Sequence, residues 1–316
     1  QNRWTPFARM TQFAGRVYGP LVAAGLSAWH GRDGNYWGHN AIIRTRAFAE
    51  ACGLPELKGR KPFGGHVLSH DFVEAALIRR SGWAVYMLPG LTGSYEETPP
   101  CLIDLATRDR RWAQGNMQHM KIVGAKGLNW VSRVHLVQGI MSYFASPLWL
   151  MLLLAGLLLA TVARHTAPNY FPDSFSLFPV WPVFDPELAL RLFAITFVVL
   201  YLPKLLALIL ALKDSELRKG CGGTVGLFKS VLAETFVSML LSPIMMLIQT
   251  RVVADVMIGR DSGWNAQNRD DQAMPFKACA RVHAAHVVAG LAFGVLAFHI
   301  SWATFLWLAP IAGALM

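Results

Sequence analysis

Ser69-His70-Asp71-Phe72-Val73-Glu74 and, further along, Arg108-Asp109-Arg110-Arg111-Trp112 stand ahead of the first long apolar run of the chain, residues 134–162. Ser69 or His70 starts a helix. Apolar residues follow at Phe72, Val73, Ala76 and Leu77; Arg79 and Arg80 fall in its last turn, and Gly82 stands just beyond. Asp71 therefore sits at a helix start, where the backbone N–H groups favour its ionised form. Pro99-Pro100 opens a second helix, which carries residues 108–112 and runs to about Val123. A carboxylate at one helix start and a basic, aromatic cluster on the next, just before an apolar run, predict a polar site beside a membrane.

Composition agrees. The chain has 316 residues, 54% of them hydrophobic, with a net charge of +10 and a pI of about 9.7. That is too apolar, and too unevenly so, for one soluble core. Residues 1–128 are mixed and basic; the remainder carries apolar runs near the ~20 residues that span a bilayer. The break near Lys126-Gly127 is the domain boundary. Nucleic acid is not the expected partner, because Lys and Arg mostly flank the apolar runs, the pattern of membrane topology. Cys52, Cys101, Cys221 and Cys279 are scattered, without a C-x-x-C pair, so reduced thiols are expected. His283 and His286 share a helix face but lack further ligands, so no metal site is expected.

The first part reads as a helix over residues 3–28, a turn at 31–34, a buried strand over 36–43, a short helix over 46–52, a loop at 63–66 and a short strand over 84–88. After the run at 134–162 comes a Pro-rich, aromatic stretch at 164–187. Further apolar runs cover 188–212, 225–258, 282–300 and 303–316. About six membrane segments are expected. Charge places residues 1–128, 213–219 and 259–277 in the cytosol and 164–187 outside. The run at 225–258 must then cross twice or not at all; a helical hairpin turning at Ser242-Pro243 is preferred. The chain starts at Gln1 and ends at Met316 inside an apolar run, so truncation at both ends is expected. No Asp-x-Asp is present, since Asp270 and Asp271 are adjacent.

Taken with Gly34-Asn35-Tyr36-Trp37-Gly38-His39-Asn40, Pro62-Phe63-Gly64-Gly65-His66 and Trp264-Asn265-Ala266-Gln267-Asn268-Arg269-Asp270-Asp271, the two opening stretches resemble the membrane-bound family 2 processive glycosyltransferases. Within them the likeness is to the branch that makes periplasmic glucans. The resemblance implies an α/β fold joined to a multi-pass helical membrane region: residues 1–128 as the C-terminal part of a cytosolic GT-A type domain, and 129–316 as the transmembrane part. It also implies processive, inverting transfer of glucose from UDP-glucose to a growing β-1,2-glucan, with export across the bacterial inner membrane. Mg²⁺ or Mn²⁺ is implied for the longer enzyme, with its ligands outside this sequence. Membrane lipids and a periplasmic glucan-processing protein are further implied partners. The fragment alone should be inactive.

Inverting transfer needs a base for the acceptor hydroxyl and positive charge on the departing diphosphate. The resemblance places the base at Asp71, where many relatives read Thr-Glu-Asp; Glu74 only braces the site. Residues 108–112 match the family's Gln-x-x-Arg-Trp, with Arg108 in place of Gln. Arg108 and Arg111 are the implied diphosphate contacts, Arg111 as a planar permanent charge. Trp112, Tyr36, Trp37, Gly38, His39 and Asn40 are the implied acceptor contacts. Glu97, in Gly93-Ser94-Tyr95-Glu96-Glu97-Thr98, is expected to order the arginines. Trp264, Asn265, Gln267 and Arg269 are implied as a loop closing over the nucleotide. Read without the resemblance, Asp71 is also an ordinary helix-start residue, and Arg111 and Trp112 are ordinary interfacial anchors. Two alternatives stay open: another family 2 synthase, of cellulose, hyaluronan or chitin, and a non-enzymatic transporter or scaffold.

Overall fold

The structure is a computed structural model describing residues 4–93, 95–166, 170, 178, 186–260 and 275–316. The described residues form helices α1 (Pro6–His30), α2 (Thr45–Ala51), α3 (His70–Arg80), α4 (Leu102–Gln118), α5 (Trp130–His165), α6 (Pro186–Lys213), α7 (Ser215–Gly220), α8 (Gly223–Met257), α9 (Phe276–Ile300) and α10 (Trp302–Leu315). A 3-10 turn, His119–Lys121, follows α4. The chain divides into two compact units. Unit 1 comprises residues 1–150 and 233–283; unit 2 comprises 151–232 and 284–316.

Local signals account for the helix ends. Thr5 caps α1 by accepting from the Ala8 N–H at 3.2 Å, and Pro6 stands where no N–H is needed. Gly31 closes α1 at φ +51°, donating its N–H to the Ser27 carbonyl. Asp214 caps α7 by accepting from two N–H groups, each at 3.0 Å. Arg79 and Arg80 occupy the last turn of α3, and Gly82, at φ +90°, lies just past it.

The α/β expectation is not confirmed. Among the described residues no strand forms. Residues 36–43 bend at 38–40, where Gly38 and Asn40 have positive φ, and only two isolated bridges exist, Asp33 with Val85 and Leu57 with Gly65. A strand needs a neighbour along its length. Here Val85 exchanges one pair of hydrogen bonds with residues 32 and 34, each at 2.9 Å, and no further segment continues the ladder.

Unit 1 has two apolar clusters. One joins Val73, Ala76, Leu77 and Ile78 of α3 to Ala51 of α2, Ile122, and Leu136 of α5. The other joins Ala113 and Met117 of α4 to Tyr143 of α5 and to Val252, Val253 and Val256 of α8. Met117 and Leu136 are fully buried, each stabilising the fold by about 1.5–3 kcal/mol relative to exposure. Together the clusters lock α3 and α4 into fixed positions on α5.

Unit 2 packs Leu157 of α5 against Ala297 and Ile300 of α9 and Leu308 of α10. Gly290 lets α10 approach closely: a Cβ there would lie 2.7 Å from the Ala312 carbonyl. Many large apolar side chains of this unit point outward, among them Leu152, Leu158, Leu159 and Leu190. Four helices, α5, α6, α8 and α9, are long and apolar enough to cross a membrane; α10 is shorter.

The hairpin expected at 225–258 is absent. Helix α8 runs unbroken for 35 residues with Pro243 inside it. At ~1.5 Å per residue it is roughly 50 Å long, well beyond the ~30 Å of a hydrocarbon core. Pro243 removes only one N–H, and a single missing bond does not force a reversal of the chain.

Candidate active site

The site is built on the first turn of α3. Asp71 is the second residue of that helix, and the Ser69 hydroxyl donates to its Oδ1 at 3.2 Å. The segment of residues 35–40 crosses this turn. Gly38 adopts φ +79°, and a Cβ there would lie 3.5 Å from Asp71 Oδ2. The left-handed backbone favours glycine here, and the Asp71 carboxylate lies in van der Waals reach of it. Asn40 is also at positive φ, +52°, a conformation asparagine tolerates.

Tyr36, two residues earlier, donates its hydroxyl to Glu74 Oε2. Burial, then the bond to Glu74 and its charge, push the Tyr36 phenol well above its ordinary range. It is therefore a fixed donor at neutral pH. Trp37 meets Phe72 edge-on at 6.2 Å and stays 40% exposed, so one face remains available. His39 is exposed and lies 3.3 Å from Glu96. The structure thus brings Tyr36, Trp37 and Gly38 together beside Asp71 and turns His39 toward Glu96.

Helix α4 closes the other side. Gly115 packs on the start of α3 so tightly that a Cβ would lie 2.7 Å from the Ser69 nitrogen. Buried Gln118 accepts from the Leu68 N–H at 2.9 Å and donates to the Pro62 and His66 carbonyls at 3.0 and 3.1 Å. His119 reaches the Ser69 carbonyl at 3.2 Å; burial holds its imidazole below its usual range, so it is neutral. Neither Gly115 nor Gln118 was among the residues singled out from sequence. A glycine costing ~1 kcal/mol inside a polar helix was the available signal for the first.

This packing sorts residues 108–112 by helix face. Arg111 and Trp112 lie one turn before Gly115, on the face that meets Ser69. Trp112 is 44% exposed, and the Arg108 guanidinium stacks over its ring at 4.5 Å. Asp109 and Arg110 point elsewhere, into α8. Burial raises the Asp109 carboxyl above its usual range, against the opposing charge of Arg108 and a hydrogen bond from Gln249. Arg110 pairs with Asp255 at 3.2 Å, and Arg260 pairs with the same carboxylate at 3.2 Å. The cluster that reads as one run in sequence is therefore split between a site face and an anchoring face.

Trp264, Asn265, Gln267 and Arg269 lie outside the described residues. Among the described residues no group of three or more His, Cys, Asp or Glu converges. They offer no ligand set for the divalent cation that the resemblance implies, and no step is derived through one.

The arrangement places a carboxylate at a helix start beside the exposed Trp37-Gly38 segment, with the exposed Trp112 ring and the Arg108 guanidinium on α4, the helix that packs on Ser69. That combination suits proton removal from a hydroxyl and binding of an anionic leaving group. The chain is 52% identical over 315 residues to the glucans biosynthesis glucosyltransferase H of Bradyrhizobium diazoefficiens. It is 53% identical over 309 residues to the proteins of that name from Vibrio cholerae serotype O1 and Shewanella oneidensis. The matches cover 98–100% of the chain but 42–43% of each relative, so the chain spans about two fifths of the length of these curated relatives. No solved structure matches it. The model of the family described as glycosyl transferase family group 2 matches residues 22–211, more than half of the chain, and the chain belongs to that family.

Proposed function

We propose that the chain forms part of a processive inverting glucosyltransferase of the inner membrane. The donor is UDP-glucose, the acceptor is a growing glucan, and the product is the linear β-1,2-linked backbone of periplasmic glucans, exported as it grows. The observation that carries this reading is the packing around the start of α3: the Gly38 loop approaches the Asp71 carboxylate, and the Arg-Trp helix packs through Gly115 on Ser69, two residues earlier. Glucosyl transfer into a glucan is supported by the names of the relatives; donor, linkage and export are supported only by the motif resemblance.

Asp71 accepts the proton of the acceptor hydroxyl as its oxygen attacks the anomeric carbon. The bond from that carbon to the diphosphate breaks on the opposite face, which inverts the configuration. UDP leaves with its charge met by Arg111 and Arg108. Trp112 and Trp37 offer flat faces to sugar rings, and Gly38 leaves room for one. His39 and Asn40 complete the acceptor side. Mg²⁺ or Mn²⁺ remains an expectation for the longer protein, with ligands beyond the described residues.

In this reading residues 1–128 belong to a cytosolic GT-A type domain and 129–316 to the membrane region, with 213–219 and 259–277 on the cytosolic side and 164–187 in the periplasm. Since α8 does not turn at Pro243, the charge-based placement of the loops on either side of it requires that it not cross, rather than cross twice. Lys229, Glu234, Arg251 and Asp255 along it fit a polar boundary better than lipid. A membrane-impermeant maleimide on intact spheroplasts tests this: single cysteines at 215 and 262 should stay unlabelled, and one at 174 should react.

The decisive experiment is Asp71→Asn in the full-length enzyme. Glucan synthesis should fall ~10²–10⁴-fold with UDP-glucose binding retained. Wild-type turnover would remove Asp71 from the mechanism. Linkage analysis of the product separates this reading from a cellulose-like synthase; no nucleotide-sugar binding would favour a transporter or scaffold.

A further inference from the structure

Glu74 is a buried carboxylate to which the reaction above assigns no task. It is 6% exposed, one turn along α3 from His70 and Asp71. Both of its oxygens are engaged. The Tyr36 hydroxyl donates to Oε2, and His70 Nδ1 lies 3.1 Å from Oε1. The His70 side chain is 52% exposed, against 8% for Glu74, so the histidine runs from a buried anchor out to solvent.

The chemistry of the pair fixes the histidine. An ionised carboxylate only accepts hydrogen bonds, so the ring nitrogen facing it must carry a proton. The proton therefore sits on Nδ1, and Nε2 is left as the outward nitrogen. Whether neutral or protonated, Nε2 then offers a single directed hydrogen-bonding group. The other neighbours do not disturb this. Burial and then the charge of Glu74 push the Cys52 thiol up to about 11, so it stays neutral. Tyr36 is a donor toward the same carboxylate.

The two anchored residues flank the reacting centre. His70 immediately precedes Asp71. Tyr36 stands two residues before Gly38, which lies over the Asp71 carboxylate. One buried group thus ties the acceptor-side loop to the helix that carries the base. A solvated i,i+4 pair on a helix contributes only ~0.2–0.5 kcal/mol and needs no buried partner. Burying a carboxylate costs several times that unless both oxygens are met. Such a cost is more than helix stability alone requires.

We propose that Glu74 is a positioning residue that presents His70 Nε2 as a hydrogen-bonding contact for a hydroxyl of the acceptor sugar, with Tyr36 as the second anchor. This rests on the transferase reading given above. The test uses the purified full-length enzyme with UDP-glucose and a short glucan acceptor. Asparagine places its amide near Nδ1 and keeps the Glu74 contact, whereas glutamine places its amide near Nε2. His70→Asn should raise the acceptor KM about tenfold, the size of one lost hydrogen bond, with the UDP-glucose KM and the melting temperature unchanged. His70→Gln should recover most of that loss. Glu74→Gln should behave like His70→Asn; the His70 pair, lying outside the core, keeps the test valid if Glu74→Gln does not fold. Equal acceptor KM values for wild type, His70→Asn and His70→Gln, with Asp71→Asn inactive, would overturn the inference and leave the transferase reading standing. An active Asp71→Asn would overturn the reading and this inference with it.

Discussion

The two units differ most in what they bury. Among the described residues unit 1 holds His30, Asn35, Glu74, Gln114, Asn116, Gln118, His119, Ser132, His135, Glu234 and Asp255 inside, whereas unit 2 holds His286 alone. Unit 2 instead turns leucines outward, with Leu152, Leu158 and Leu159 each more than 60% exposed. The difference follows from the task. A buried polar group is costly unless its partners are placed for it, so those with partners fix geometry. Gln118 holds the chain at Pro62, His66 and Leu68 this way, and Glu74 holds Tyr36 and His70. A surface facing hydrocarbon has no such partners to satisfy and needs only apolar area.

The comparison can be broken at Asp71 first. Its replacement by Asn should give the largest effect, the ~10²–10⁴-fold loss given above, with the melting temperature preserved. Arg111→Ala should come next, lowering UDP affinity by calorimetry roughly 10–100-fold, the range of a lost charge-assisted contact. Trp112→Ala should shorten the polymer with little change in UDP affinity. Unchanged UDP affinity in Arg111→Ala would contradict the assignment of the site face of α4.

Gly115→Ala tests the packing rather than the chemistry. Its methyl group would strike the Ser69 backbone, so α3 or α4 must shift. A loss of ~1–3 kcal/mol in stability is expected, together with a lower kcat, because the shift moves Asp71. In unit 2, Leu158→Ala should leave activity within about twofold and stability within ~0.5 kcal/mol, since its side chain is 65% exposed. A large effect there would show that unit 2 is as tightly specified as unit 1.

Asp109 provides the smallest and most specific effect. Its carboxyl is raised by burial. Between the ordinary carboxylate range and the raised value the folded chain keeps a proton that the unfolded chain has lost. Stability contributed by this group is therefore highest at low pH and falls as pH rises through that window. Asp109→Asn should remove that slope and give a small gain at neutral pH, seen as a flatter plot of melting temperature against pH. An unchanged slope would mean that the carboxyl titrates as if exposed.

Several elements were legible from residues alone. The helix with Asp71 in its first turn needs only its apolar spacing, its terminal arginines and Gly82. The apolar runs need only their length. The match of residues 34–40, 69–74 and 108–112 to family 2 enzymes located the candidate site, because short motifs carry local chemistry that survives without the fold. Other features were beyond a linear reading. Whether 36–43 pairs as a strand depends on a neighbour, and the described residues supply none. Proline at 243 suggested a turn, yet α8 passes through it, because helix continuity is decided by packing along the whole element. That the face of Arg111, Trp112 and Gly115 meets Ser69 while Asp109 and Arg110 meet α8 depends on where α4 docks. That Glu74 meets Tyr36 depends on contact between segments 38 residues apart in the chain. Local spacing determines which residues share a turn or a face. Only the tertiary structure decides what each face meets, since burial and partner distance are properties of the packed chain and not of the sequence interval.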